Sequence, residues 1–172
     1  LVPLRNAISS YMSRRFGVTY DPMSEVGVTA GGSEGIDLAM RTVVSPGDEV
    51  LIPEPCFVCY APLAALAGGT PVTLPTYEKD AFRLTPETLK AAITPRTKML
   101  ILSYPNNPTG AVMSKADYEA IAAVLKDTNI VVVTDEIYIE LCYGKEPCVS
   151  FASIDGMRER TFVVNGFSKA YA

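Results

Sequence analysis

Short apolar, β-branched runs recur along the chain at Val26–Thr29, Glu49–Ile52, Pro71–Leu74, Lys98–Leu102, Ile130–Thr134 and Thr161–Val164, with stretches of helical periodicity between them. A strand that is apolar at consecutive positions has no polar face to give to water, so other elements must cover both of its faces. Ser33–Val43, Tyr60–Ala67, Pro86–Ala92 and Lys115–Lys126 carry apolar residues three and four apart, which gives a helix one apolar side. Helices alternating with doubly covered strands predict an α/β domain, a three-layer α/β/α sandwich around a mainly parallel sheet. Ligands of such a sheet sit at the carboxyl ends of its strands. Ser45-Pro46-Gly47-Asp48 and Gly68-Gly69 supply turns before strands, and Ser114 is placed to cap the helix after it. Leu4–Phe16 reads as an amphipathic helix ahead of the first strand, with Arg14 and Arg15 in solvent.

At 172 residues, 48% of them apolar, the chain is long enough for one cored domain and shows no linker or repeat. Its net charge of −4 is spread without a basic stripe, which argues against nucleic-acid binding. No apolar segment approaches the ~20 residues that span a bilayer, and Leu1-Val2-Pro3-Leu4-Arg5 lacks the order of a signal peptide. A cytoplasmic protein with no membrane partner is therefore expected. The chain contains no histidine, so a general acid or base must be Lys, Asp, Glu, Tyr or Cys, and a Ser-His-Asp mechanism is excluded within it. Cys56 and Cys59 form a Cys-x-x-Cys pair, while Cys142 and Cys148 are spaced too widely for a matching knuckle. Separate reduced cysteines and no metal site are expected, with a thiol or zinc module as the lesser alternative.

Chemistry-bearing residues follow the apolar runs. Ala30-Gly31-Gly32-Ser33-Glu34-Gly35 leads from one run into a helix, where glycines allow close backbone approach and free N–H groups suit a phosphate. Ser103-Tyr104-Pro105-Asn106-Asn107-Pro108-Thr109-Gly110 follows another, a rigid turn that positions the amide of Asn107. Asp135 ends Ile130–Thr134, where a carboxylate leaving a buried strand needs a cationic or donor partner, and Tyr138 follows one helical turn later. Lys169 lies just beyond Thr161–Val164, at a place where an amine can be desolvated and used as a nucleophile. A phosphate cradle, an amide donor, a carboxylate with a phenol, and an amine on one sheet edge describe pyridoxal 5'-phosphate. Its aldehyde takes a lysine, its phosphate a helix N-terminus, and its ring nitrogen a carboxylate.

On Gly31-Gly32-Ser33, Pro46-Gly47-Asp48, Asn107-Pro108-Thr109-Gly110, Asp135-Glu136-Ile137-Tyr138 and Ser168-Lys169, the sequence resembles the class I/II aminotransferases, pyridoxal-phosphate enzymes of fold type I. It looks most like the bacterial branch of aspartate and aminotransferase-A-type enzymes. The resemblance implies that Lys169 is the Schiff-base lysine and proton carrier, that Asp135 pairs with the ring nitrogen, and that Tyr138 and Asn107 bond the ring oxygen. It further implies phosphate contacts from Gly32, Ser33, Glu34 and Ser168, and an aromatic stack from Phe57. Residues 1–172 would be the central part of the large, cofactor-binding domain of a homodimer. The small domain, the arginines that hold phosphate and substrate carboxylate, and the last, antiparallel strand would lie elsewhere. Val26–Thr29 would then lack a partner strand. The implied activity is transamination between an amino acid and a 2-oxo acid, with weak or no turnover by the 172 residues alone. A C–S lyase on the same scaffold, or a non-catalytic ligand-sensing domain of a regulator, stays open at this point.

Overall fold

The computed structural model of the chain describes residues 1–144 and 147–172. Helix α1 (Val2–Phe16) and helix α2 (Gly32–Val43) precede strand β1 (Glu49–Glu54). Then come α3 (Tyr60–Leu66), β2 (Thr70–Pro75), α4 (Pro86–Ala92), β3 (Thr97–Ser103), α5 (Lys115–Leu125), β4 (Val131–Asp135) and β5 (Thr161–Val164). The five strands form one parallel sheet in the order β2-β1-β3-β4-β5.

Alternation along each strand divides the core into two layers. Leu51, Leu100, Leu102 and Val132 pack with Leu89 of α4, Ile121 and Leu125 of α5, and Phe151. Their neighbours Val50, Ile52, Met99, Ile101 and Val133 pack with Ile36 and Met40 of α2 and Ala64 of α3. Residues adjacent in sequence thus serve opposite cores, which is why the strands read as unbroken apolar runs. Tyr118 and Phe151 meet edge to face at 5.3 Å in the first layer. Helix α5 starts with a capping box: Ser114 accepts from the Asp117 N–H, and Asp117 Oδ2 accepts from the Ser114 N–H.

Val26–Thr29 departs from its predicted strand. It joins no ladder, because β5, on that side of the sheet, pairs only with β4. An apolar groove runs between this segment and β5, lined by Leu4, Ile8 and Tyr11 of α1 together with Val26, Leu38 and Phe162. Backbone groups without a ladder partner must find other partners or water, so a lone run of β-branched residues does not make a strand. Arg15 also differs from expectation. Its Nε donates to Glu140 at 3.2 Å and its guanidinium lies 4.8 Å from the Phe16 ring, while Arg14 is exposed. Cys142 and Cys148 are joined in a disulfide with Cα atoms 6.1 Å apart, whereas Cys56 and Cys59 are free. The expectation of separate cysteines holds for the first pair only.

Candidate active site

Parallel register brings the carboxyl ends of three strands level, with Ser103 of β3 beside Asp135 of β4 and Asp135 beside Val164 of β5. The loop bearing Asn107 follows β3, and the segment bearing Ser168 and Lys169 follows β5. Helix α2 starts against the same edge, since a Cβ on Gly32 would touch Val164 Cγ1 at 3.4 Å. Four segments far apart in sequence therefore meet at one edge of the sheet.

Asp135 is the electrostatic centre of this edge and is only 7% exposed. Its Oδ2 accepts the Tyr60 hydroxyl at 2.8 Å and its Oδ1 accepts the Ile137 N–H at 3.2 Å. The Tyr60 hydroxyl oxygen also lies 2.9 Å from Ser103 Oγ. Burial raises the Asp135 carboxyl above its ordinary value, and the donors from Tyr60 and Ile137 oppose that shift. The ion pairs among the described residues leave Asp135 without a cation. A carboxylate this buried, held by neutral donors alone, favours a positively charged donor as a further partner.

Helix α2 supplies the anion-binding element. Its N-cap is Gly31, at φ 120°, a conformation open to glycine and costly for residues with a Cβ. No side chain caps the helix, so its first N–H groups are not consumed by the protein. Glu34 does not point toward a ligand, because its carboxylate accepts the Ala30 N–H and closes the turn ahead of the helix. The expected Glu34 contact is thus limited to its backbone. Ser33 sits beside Cys59, whose thiol is raised by burial and opposed by the Ser33 hydroxyl. Burial, followed by Glu54, pushes the Cys56 thiol up to about 11. Both shifts favour the thiol over the thiolate, which argues against a reactive Cys-x-x-Cys pair.

Phe57 is 37% exposed, with its ring 5.9 Å from that of Tyr60 and edge-on to it. Asn107 lies in a turn built by its neighbour: Asn106 Oδ1 accepts from the N–H and hydroxyl of Thr109, and the Gly110 N–H donates to Asn106 O. Lys169 Nζ lies 5.9 Å from the Tyr138 ring centroid. Lys169 and Ser168 are exposed, contrary to a desolvated amine. Upstream of them Gly166 passes so close to Ile137 that a Cβ there would lie 2.9 Å from Ile137 Cδ1, and the turn that carries both residues is closed by the Tyr171 N–H donating to Phe167 O at 3.0 Å. The structure thus joins Asp135 to the strand ends and Tyr138 to Lys169, while Asn107 enters none of the hydrogen bonds of the described residues.

Tyr60, Ser103 and Cys59 belong to this edge, and the sequence assigned none of them a role beside Asp135. Ser103 had a usable signal, a polar residue closing an apolar strand. Tyr60 had none, because it opens a helix and meets Asp135 across 75 positions. Among the described residues no group of three or more His, Cys, Asp or Glu side chains is placed to hold a metal ion, and no helix is long and apolar enough to cross a membrane.

Comparison with known proteins places these features in context. The family described as aminotransferase class I and II matches residues 1–172. A putative aminotransferase of Bacillus subtilis, YugH, is 47% identical over 172 residues, covering all of this chain and 44% of the relative. Aromatic-amino-acid aminotransferase 2 of Thermococcus litoralis is 42% identical over the same length, again 44% of that protein. The crystal structure of an aromatic aminotransferase from Pyrococcus horikoshii superimposes with a TM-score of 0.97 at 44% identity, covering 99% of this chain and 46% of that one. The chain thus spans a little under half the length of the relatives it matches.

Proposed function

The chain belongs to the class I and II aminotransferases, and from that premise we propose that the protein carrying it moves an amino group between an amino acid and a 2-oxo acid using pyridoxal 5'-phosphate. One observation carries the cofactor assignment: Asp135, buried at the sheet edge, is held by neutral donors and lacks a cation among the described residues. A protonated ring nitrogen would complement its charge. The uncapped start of α2 fits the other end of the same molecule, because a phosphate there accepts N–H bonds and meets the positive end of the helix dipole.

In this reading Gly32, Ser33 and Glu34 offer backbone N–H groups to the phosphate, and the hydroxyls of Ser33 and Ser168 add to them. Asp135 would accept from the ring nitrogen. Tyr138 and Asn107 would donate to the ring oxygen, and Phe57 would pack against the ring. Lys169 would hold the cofactor through its amine and carry the proton at the substrate Cα. When bound, the cofactor supplies the sink for the electron pair left on that carbon. Residues 1–172 then form the central part of the large domain. The whole protein works as a homodimer in the cytoplasm on small-molecule substrates.

The test is absorbance titration of the intact gene product with pyridoxal phosphate, alongside Lys169→Ala. The wild type should show a cofactor band that depends on Lys169, and should exchange amino groups between amino acid and 2-oxo acid. The variant should lose the band and ~10²-fold or more of the exchange. A wild-type protein with no lysine-dependent band would overturn the assignment.

A further inference from the structure

We propose that Tyr60 is the positioning residue of Asp135, a buried neutral donor that, oriented in turn by Ser103, fixes the charge and direction of the carboxylate for a cationic partner. The inference rests on the cofactor reading above and deepens it.

Hydrogen-bond inventory sets the direction of the chain. An ionised carboxylate only accepts, so the single phenolic proton of Tyr60 goes to Asp135 Oδ2 at 2.8 Å. The contact between the Tyr60 hydroxyl oxygen and Ser103 Oγ at 2.9 Å is then made by the serine proton, and the order is Ser103 to Tyr60 to Asp135. Tyr60 is 1% exposed, and burial, with Asp135 next, pushes its hydroxyl well above the ordinary value, so it stays a donor. The Ile137 N–H holds the other carboxylate oxygen. With both oxygens tied, the group cannot rotate freely, yet neither tie brings charge.

The neutrality is the functional point. A lysine or arginine at the position of Tyr60 would hold Asp135 just as firmly but cancel its charge and compete with any cationic ligand. A phenol favours the ionised carboxylate by hydrogen bonding and leaves its full charge for the open edge. The ring is also well placed to stay still: it opens α3, packs in the core layer with Ala64 and Ile52, and meets Phe57 edge to face. A side chain expected to cover the cofactor and one that holds its counter-charge are thus mechanically joined.

The test uses the intact gene product and its Tyr60→Phe and Ser103→Ala variants. First, Asp135 is titrated in the cofactor-free protein by carbon-detected NMR of its carboxyl. Tyr60→Phe should move that titration up by about one pH unit, and Ser103→Ala should move it less in the same direction. Second, affinity for pyridoxal phosphate is measured against pH. The acid limb of the profile should shift upward with the Asp135 titration, weakening binding ~10-fold below it. A purely structural Tyr60 would lower thermal stability while leaving both pH profiles in place, and that result would overturn the proposal. If the wild type fails to bind the cofactor, the functional reading falls, and the Asp135 titration still decides the role of Tyr60. If Tyr60→Phe does not fold, Ser103→Ala decides it: an unmoved Asp135 titration refutes the chain, and an upward shift supports it.

Discussion

Asp135 and Glu136 are consecutive carboxyls that serve opposite sides of the sheet, the first bonded to Tyr60 of α3 and the second to Ser150 and the Phe151 N–H. Glu136 is fully buried, with three donors on Oε1 and no partner on Oε2 among the described residues. Burial, opposed by those donors, pushes it up to about 7 from an ordinary 4.5. Asp135, Tyr20 and Tyr118 are the titratable groups that face it. The folded chain therefore keeps a proton that the unfolded chain has released across this window. Its contribution to stability is full below about 4.5, shrinks as pH rises, and is gone above about 7, at up to ~1.4 kcal/mol per pH unit. Glu136→Gln should abolish this part of the slope, so urea unfolding of wild type and variant between pH 5 and 7 should diverge as pH changes. Parallel profiles would show that Glu136 is ionised throughout. Asp135 was legible in sequence as a buried carboxylate in need of donors, because it closes an apolar run. The depth of Glu136 was not, since its partners lie up to 15 positions away in a loop without periodicity.

At the scale of elements, the turn between α3 and β2 depends on Gly69. A Cβ there would lie 2.6 Å from Val44 Cγ1 and 3.4 Å from the carbonyl oxygens of Ala64 and Asp48. The same turn carries the Gly69 N–H to Ala64 O and the Thr70 N–H to Asp48 O, so the backbone cannot retreat without losing bonds. Gly69→Ala should destabilise the protein by ~1–3 kcal/mol through overpacking. Adding Val44→Ala should recover part of that loss, and a double-mutant cycle in urea would reveal the coupling. Strict additivity of the two changes would place the cost elsewhere. Five of the predicted strands and the predicted helices appear with ends moved by no more than two residues, because periodicity reports burial directly. Val26–Thr29 carries the same residue types and forms no strand, since a ladder needs a neighbour and composition cannot supply one.

Across the whole molecule, the segment from Gly17 to Thr29 is pinned at Thr19 and Glu25 by Arg158, which lies 139 and 133 positions from them. The guanidinium donates to Thr19 O at 2.7 and 3.0 Å and to Glu25 at 2.9 Å, and lies 4.9 Å from the Tyr20 ring. About a third of the Arg158 side chain is exposed, so the ionic part is screened and the carbonyl bonds matter more. Arg158→Ala should therefore speed proteolysis and amide exchange in residues 17–29 while leaving exchange in β3 and β4 unchanged. Loss of protection across the sheet would instead make Arg158 a global determinant of the fold. The sequence alone determined the layered α/β class, the order of elements and the residue types at the strand ends, because these follow from forces acting within a few positions of the chain. Only the tertiary structure decided that Tyr60 meets Asp135, that Cys142 pairs with Cys148, that Lys169 faces solvent and that Val26–Thr29 stands apart from β5. Each of these depends on which distant segments packing brings within hydrogen-bonding or bonding reach, and spacing along the chain carries no record of that.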